Sequence, residues 1–134
     1  MSAAPHGYRT PLSRARGLGA AKQGVNRFIS ERVTGMALVP LCLWAVYAVI
    51  QLAPAGYEGA VTLLQSPFNA VMAVLLVLIS CLHMEAGVRV IVEDYIHTPG
   101  AKISLLLLNT TICWLGAALG VFSILKVALL GVGE

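Results

Sequence analysis

Thirteen consecutive residues, His83-Met84-Glu85-Ala86-Gly87-Val88-Arg89-Val90-Ile91-Val92-Glu93-Asp94-Tyr95, hold most of the groups in this chain that could do chemistry. They begin inside an apolar run that opens at Phe68 and end on two acids and a tyrosine. An imidazole within a hydrocarbon-length segment is costly unless it has a partner. Ser80, His83 and Gly87 share one helical face, because residues three and four apart are neighbours. Gly87 removes a side chain one turn from the ring, which would let a flat metal cofactor approach. Haem iron accepts a histidine nitrogen as an axial ligand. A bis-histidine haem would then draw its second ligand from another chain. The competing reading is a histidine hydrogen-bonded between helices, which also occurs in membrane bundles.

The acids and the tyrosine suggest a second kind of chemistry. A Tyr95 hydroxyl can donate to a quinone carbonyl, and the Asp94 carboxylate can orient a base or help deliver a proton. Tyrosines also populate the aromatic belt at membrane interfaces, so an ordinary anchoring role stays open. Arg32, at the head of the first apolar run, could meet a haem propionate or a quinone oxygen, or simply snorkel to the interface. Glu85 and Arg89 are four apart and are expected to pair along the helix. His97 lies in a polar stretch beside Thr98-Pro99-Gly100 and is expected to be solvated, as is His6.

Composition decides what must position these groups. Of 134 residues, 58% are hydrophobic and 11% charged. Soluble domains carry about 25% charged residues, so this chain cannot cover a water-facing surface. The sequence predicts an all-α integral membrane protein with three spans, at about residues 33–53, 67–92 and 103–130. Each is long enough, since a span takes about 20 apolar residues. Pro40 lies inside the first span, and Pro54, Gly56 and Gly59 are expected to end its helix. Two regions result: a basic segment over residues 1–32 and a three-helix anchor domain over residues 33–134. Lys22 to Arg32 could form an amphipathic approach to the membrane.

Cys42, Cys81 and Cys113 fall in three different apolar runs, so neither a disulfide nor a zinc site is expected. The first apolar run starts too far along the chain, and is too long, for a secretory signal. The basic residues before it loosely resemble a mitochondrial transit peptide, but they have a structural use as a membrane-flanking anchor, and that reading is preferred. Nucleic acid is not an expected partner; the lipid bilayer is.

Charge sets the orientation. Arg9, Arg14, Arg16, Lys22, Arg27 and Arg32 precede the first span, opposed only by Glu31. The first connection, residues 54–66, holds no base and carries Glu58; the second carries Lys102. The positive-inside rule puts the N-terminus and the second connection on the cytoplasmic side. His83 then lies about 18 Å along the helix from Tyr95, well within the bilayer, with Asp94 and Tyr95 at its inner boundary.

With these features in view, the chain resembles the hydrophobic membrane-anchor subunits of succinate dehydrogenase, the smaller anchor chains of respiratory complex II. The resemblance rests on three spans, a basic N-terminus, Arg32-Val33-Thr34, His83-x-x-x-Gly87 and the offset of eleven and twelve residues to Asp94-Tyr95. Arg9-Thr10-Pro11-Leu12 and Arg16-Gly17-Leu18-Gly19 resemble the alphaproteobacterial branch. The resemblance implies that His83 is an axial ligand of haem b, shared with a partner anchor chain of cytochrome b type. It implies that Tyr95, with Asp94 beside it, binds ubiquinone, and that Arg32 lies near the haem propionates and the quinone pocket. It further implies a bundle with that second anchor chain, seating an iron–sulfur subunit and a flavoprotein, in a bacterial inner membrane rather than a mitochondrial one. The chain has neither a flavin motif nor a cysteine cluster and would not oxidise succinate alone. Two alternatives remain at this point: a cofactor-free structural adaptor that docks a cytoplasmic partner, and a fumarate reductase anchor.

The orientation can be tested by single-cysteine labelling in intact cells, with Cys42, Cys81 and Cys113 replaced. A cysteine introduced by Ala4→Cys should be shielded from an impermeant reagent, and one introduced by Gly131→Cys should react. Labelling of position 4 from outside would reverse the assignment.

Overall fold

In a computed structural model, residues 10, 12 and 24–131 are described. Three helices account for nearly all of them: α1 (Gly24–Gln65), α2 (Pro67–Tyr95) and α3 (Pro99–Leu130). All three are long and apolar enough to cross a membrane. The basic residues Arg9, Arg14, Arg16 and Lys22, and His6, lie outside the described residues. Residues 24–32 are helical and run directly into the first span, so α1 begins about two turns earlier than the apolar run does.

The first connection differs from expectation. Pro40 and Pro54 both lie inside α1, and only Gly56 leaves the helical conformation, with φ 59° and ψ −150°. That φ is in the left-handed region, which glycine enters without a Cβ penalty. After it, residues 57–65 are helical again. Ala60, Leu63 and Leu64 line an apolar cleft together with Trp44, Ala48 and Leu52, so this segment turns back against the helix it came from. Gly59 makes the fold-back possible, because a Cβ there would sit 2.3 Å from that of Ala55. The proline and glycine signals therefore mark a reversal between helices rather than an open loop.

The other two helices start by one shared device. Ser66 and Thr98 are extended, and Pro67 and Pro99 follow as first helical residues. Proline disfavours a helical residue before it, and its missing N–H is one the first turn cannot use. Only residues 96–98 separate α2 from α3, which makes these two antiparallel neighbours. α2 lies between the others and makes most of the interhelical contacts.

Among the described residues few are buried, and all of them are apolar: Leu41, Ala48, Val61, Ala70, Val92, Cys113 and Ala117. Small residues let the backbones approach, as expected where lipid supplies no hydrophobic drive between helices. Gly120 meets α2 so closely that a Cβ would stand 2.8 Å from Val77 Cγ1. Many of the remaining apolar side chains are exposed, where lipid and other chains can cover them.

Polar contacts tie the three helices together. Near the start of α2, Trp44 Nε1 donates to Asn69 Oδ1 at 3.3 Å. Toward its end, Arg27 bridges to Glu93 at 3.1 Å, and Lys102 Nζ donates to the Glu93 carbonyl at 2.8 Å. Between these, Arg89 pairs with Glu85 as the spacing predicts. Thr110 Oγ1 donates to the same carboxylate oxygen at 3.0 Å, and Asn109 Nδ2 donates to the Glu85 carbonyl at 3.0 Å. Glu85 is thus the joint between α2 and α3.

Removing one member of this pair leaves the other charge unmatched in a poorly hydrated setting. Arg89 and Glu85 keep 33% and 18% of their side-chain exposure, so the effect should fall below that of a fully buried pair. Glu85→Gln or Arg89→Gln alone should destabilise the chain by about 1–3 kcal/mol, with the double variant losing clearly less than the sum. Reversible unfolding in detergent micelles measures this, and strict additivity would show that the two side chains act independently.

Candidate functional site

His83 is half-buried on α2, and one edge of its ring faces α1. Its Nδ1 lies 3.1 Å from Thr34 Oγ1. Thr34 is itself held, since its hydroxyl reaches the Ser30 carbonyl at 2.8 Å and the Glu31 carbonyl at 3.2 Å. Such back-bonding to the preceding turn is the usual way a helical threonine satisfies its hydroxyl. Gly35 completes the seat: a Cβ there would already touch His83 Cε1 at 3.4 Å, and a larger side chain would displace the ring.

The other ring nitrogen is free. Among the described residues, Arg89 Nε is the sole buried side-chain nitrogen or oxygen without a hydrogen-bond partner. His83 Nε2 has no hydrogen-bond partner among the described residues and keeps some exposed surface. Gly87, one turn along, is exposed, and a Cβ there would meet nothing within 4 Å. This arrangement fits an axial ligand to a planar group: a fixed ring, an open nitrogen and an uncluttered surface beside it. Among the described residues no three His, Cys, Asp or Glu side chains converge as a metal cage. A metal held at His83 would thus take one ligand from this chain and the rest from its own macrocycle and a neighbour.

Asp94 and Tyr95 are the last two residues of α2, and both are exposed, Tyr95 at 76%. Neither side chain bonds to another described residue. Their backbone is well tethered nonetheless. Glu93, immediately before them, is gripped by Arg27 and Lys102, and Ile96 N–H closes the helix on the Val92 carbonyl at 3.1 Å. The two side chains therefore project from a fixed stub at the membrane boundary. His97 is exposed, as expected, with its Nδ1 3.1 Å from the Tyr95 carbonyl.

Arg32 takes a different direction. It is exposed, with its guanidinium 5.2 Å above the Phe28 ring. It lies two positions before Thr34, which turns it about 200° around α1, off the face that meets His83. The structure brings His83 together with Thr34 and Gly35, and does not bring Arg32 to His83 or Tyr95 within this chain.

The clefts inside the bundle hold other residues. One, between α1 and α2, is lined by Arg27, Glu31, Glu85, Arg89 and Glu93. Another, of about 270 Å³, runs between α2 and α3 beside Leu78, Leu82, Cys113 and Trp114. Neither His83 nor Tyr95 is among the residues that line these two clefts. Sequence reasoning missed Thr34 and Gly35 as neighbours of the imidazole. Their signal was available, since a hydroxyl and a glycine side by side in an apolar span mark a close helix contact.

Comparison with known proteins agrees with this architecture. The profile of the family described as Succinate dehydrogenase/Fumarate reductase transmembrane subunit matches residues 6–119. The succinate dehydrogenase hydrophobic membrane anchor subunit of Rickettsia conorii is 28% identical over 111 residues, covering 79% of this chain and 85% of that protein. The protein of the same name from Paracoccus denitrificans is 25% identical over 122 residues, covering 91% of this chain and 94% of the relative. No solved structure matches significantly. A three-span helical bundle with a half-buried imidazole, matched over most of its length by this profile, belongs to the succinate dehydrogenase/fumarate reductase transmembrane-subunit family.

Proposed function

We propose that this chain is the smaller hydrophobic anchor of a succinate:ubiquinone oxidoreductase in a bacterial inner membrane. It pairs with a cytochrome b-type anchor chain, and the two seat an iron–sulfur subunit and a flavoprotein on the cytoplasmic face. The observation that carries this reading is His83: a mid-span imidazole seated on α1 through one nitrogen, with the other left without a partner among the described residues and so available to a neighbouring chain. An adaptor with no cofactor has no use for that arrangement.

Each residue then has a task. His83 would hold haem b through Nε2, and Gly87 would leave room for a flat group beside the ring. Bound haem supplies a one-electron carrier within the bilayer. Arg32 on the outer face of α1 is available to a propionate or a quinone oxygen presented by the partner chain. At the inner boundary, Tyr95 donates its hydroxyl to a ubiquinone carbonyl, while Asp94 orients a neighbouring base or passes on a proton. Quinone reduction consumes two protons, and the exposure of Asp94 on the cytoplasmic side supports their supply from water. The six N-terminal bases support a cytoplasmic N-terminus.

Tyr95→Phe keeps the ring and removes only the hydroxyl. Leaving a quinone oxygen unpaired should cost about 1–3 kcal/mol. That corresponds to roughly a fivefold to hundredfold loss of ubiquinone-linked turnover. Succinate oxidation by a dye that accepts electrons before the membrane site should be unchanged. Full ubiquinone reductase activity in the variant would reduce Tyr95 to an interfacial belt residue.

A further inference from the structure

Thr34 has two carbonyl oxygens and one imidazole nitrogen within reach, and one proton to give. Ser30 O lies at 2.8 Å and Glu31 O at 3.2 Å, both on the preceding turn of α1, while His83 Nδ1 lies at 3.1 Å. The nearer acceptor and the geometry of back-bonding commit the hydroxyl proton to α1. Toward His83 the oxygen then presents a lone pair, and the contact becomes a hydrogen bond only if Nδ1 carries the ring proton. A neutral imidazole with its proton on Nδ1 has its lone pair on Nε2, the nitrogen without a partner among the described residues. From this geometry we infer that Thr34 is a positioning residue that selects the Nδ1-protonated tautomer of His83 and so readies Nε2 as a metal ligand.

The inference rests on the haem reading given above and adds to it the means by which α1 tunes the ligand. A metal-bound histidine normally donates its second N–H to an acceptor, which fixes the ring and raises its basicity. Here the acceptor is a hydroxyl whose own proton is anchored on a backbone carbonyl. The chain Ser30 C=O, Thr34 O–H and His83 Nδ1–H therefore makes the imidazole a stronger donor to iron than an unsupported ring would be. Stronger donation favours ferric over ferrous iron and lowers the haem potential. Gly35 serves the same contact sterically, since it lets the Nδ1–Cε1 edge of the ring approach α1.

The test uses the assembled four-subunit complex carrying Thr34→Val, which keeps the β-branched shape, and Thr34→Ser, which keeps the hydroxyl. Haem content and haem midpoint potential are the readouts. Thr34→Val should raise the potential and weaken haem retention roughly tenfold to hundredfold, the range for lost second ligand contacts. Thr34→Ser should behave like the parent. A Thr34→Val complex with parental haem content and potential would overturn the inference while leaving the haem reading intact. An assembled parent complex that holds no haem would instead defeat the haem reading.

Discussion

A polar group inside hydrocarbon has no water to fall back on, and every part of this bundle is arranged around that constraint. Glu85 would be costly in mid-span alone; it meets Arg89 on its own helix and Thr110 on the next. Trp44 and Asn69 satisfy one another between α1 and α2. Thr34 closes on its own backbone and still accepts a neighbour. Each of these pairings also fixes the register of two helices, so the groups that would be a liability in lipid define the packing. Among the described residues the buried ones are few and apolar, and offer little directional contact of their own.

The same constraint singles out His83. Its Nδ1 is provided for by α1, but its Nε2 is left to something beyond the chain. Tyr95 and Asp94 share that outward character, on a stub whose backbone Arg27 and Lys102 hold. His83, Asp94 and Tyr95 thus stay outside the cleft that holds the Arg27, Glu85, Arg89 and Glu93 side chains, in a chain that belongs to a family of transmembrane subunits.

Much of this was legible in the sequence, for physical reasons that can be named. Apolar runs of span length fix the number of helices, because no other open structure satisfies its backbone in lipid. The i, i+4 spacing of Glu85 and Arg89 led directly to their pairing. The position of His83 relative to Tyr95 follows from helical rise alone. What stayed hidden depends on how helices meet. That Gly56 bends the chain back, where Pro54 and Gly59 stay helical, comes from packing of Leu63 and Leu64 against Trp44 and Leu52. The contact of Thr34 and Gly35 with the imidazole joins residues 49 positions apart, beyond any local pattern. Gly87, singled out as the space beside the ring, proved open, but the glycine that touches His83 is Gly35.

The central claim is that His83 Nε2 is a haem ligand, and optical and electron paramagnetic resonance spectra of the purified, fully assembled complex test it most directly. The parent should show a low-spin haem b signal, and His83→Ala should lose or visibly alter it while all four subunits remain together. An identical spectrum in an intact His83→Ala complex would contradict the account, leaving His83 as an interhelical hydrogen-bonding residue.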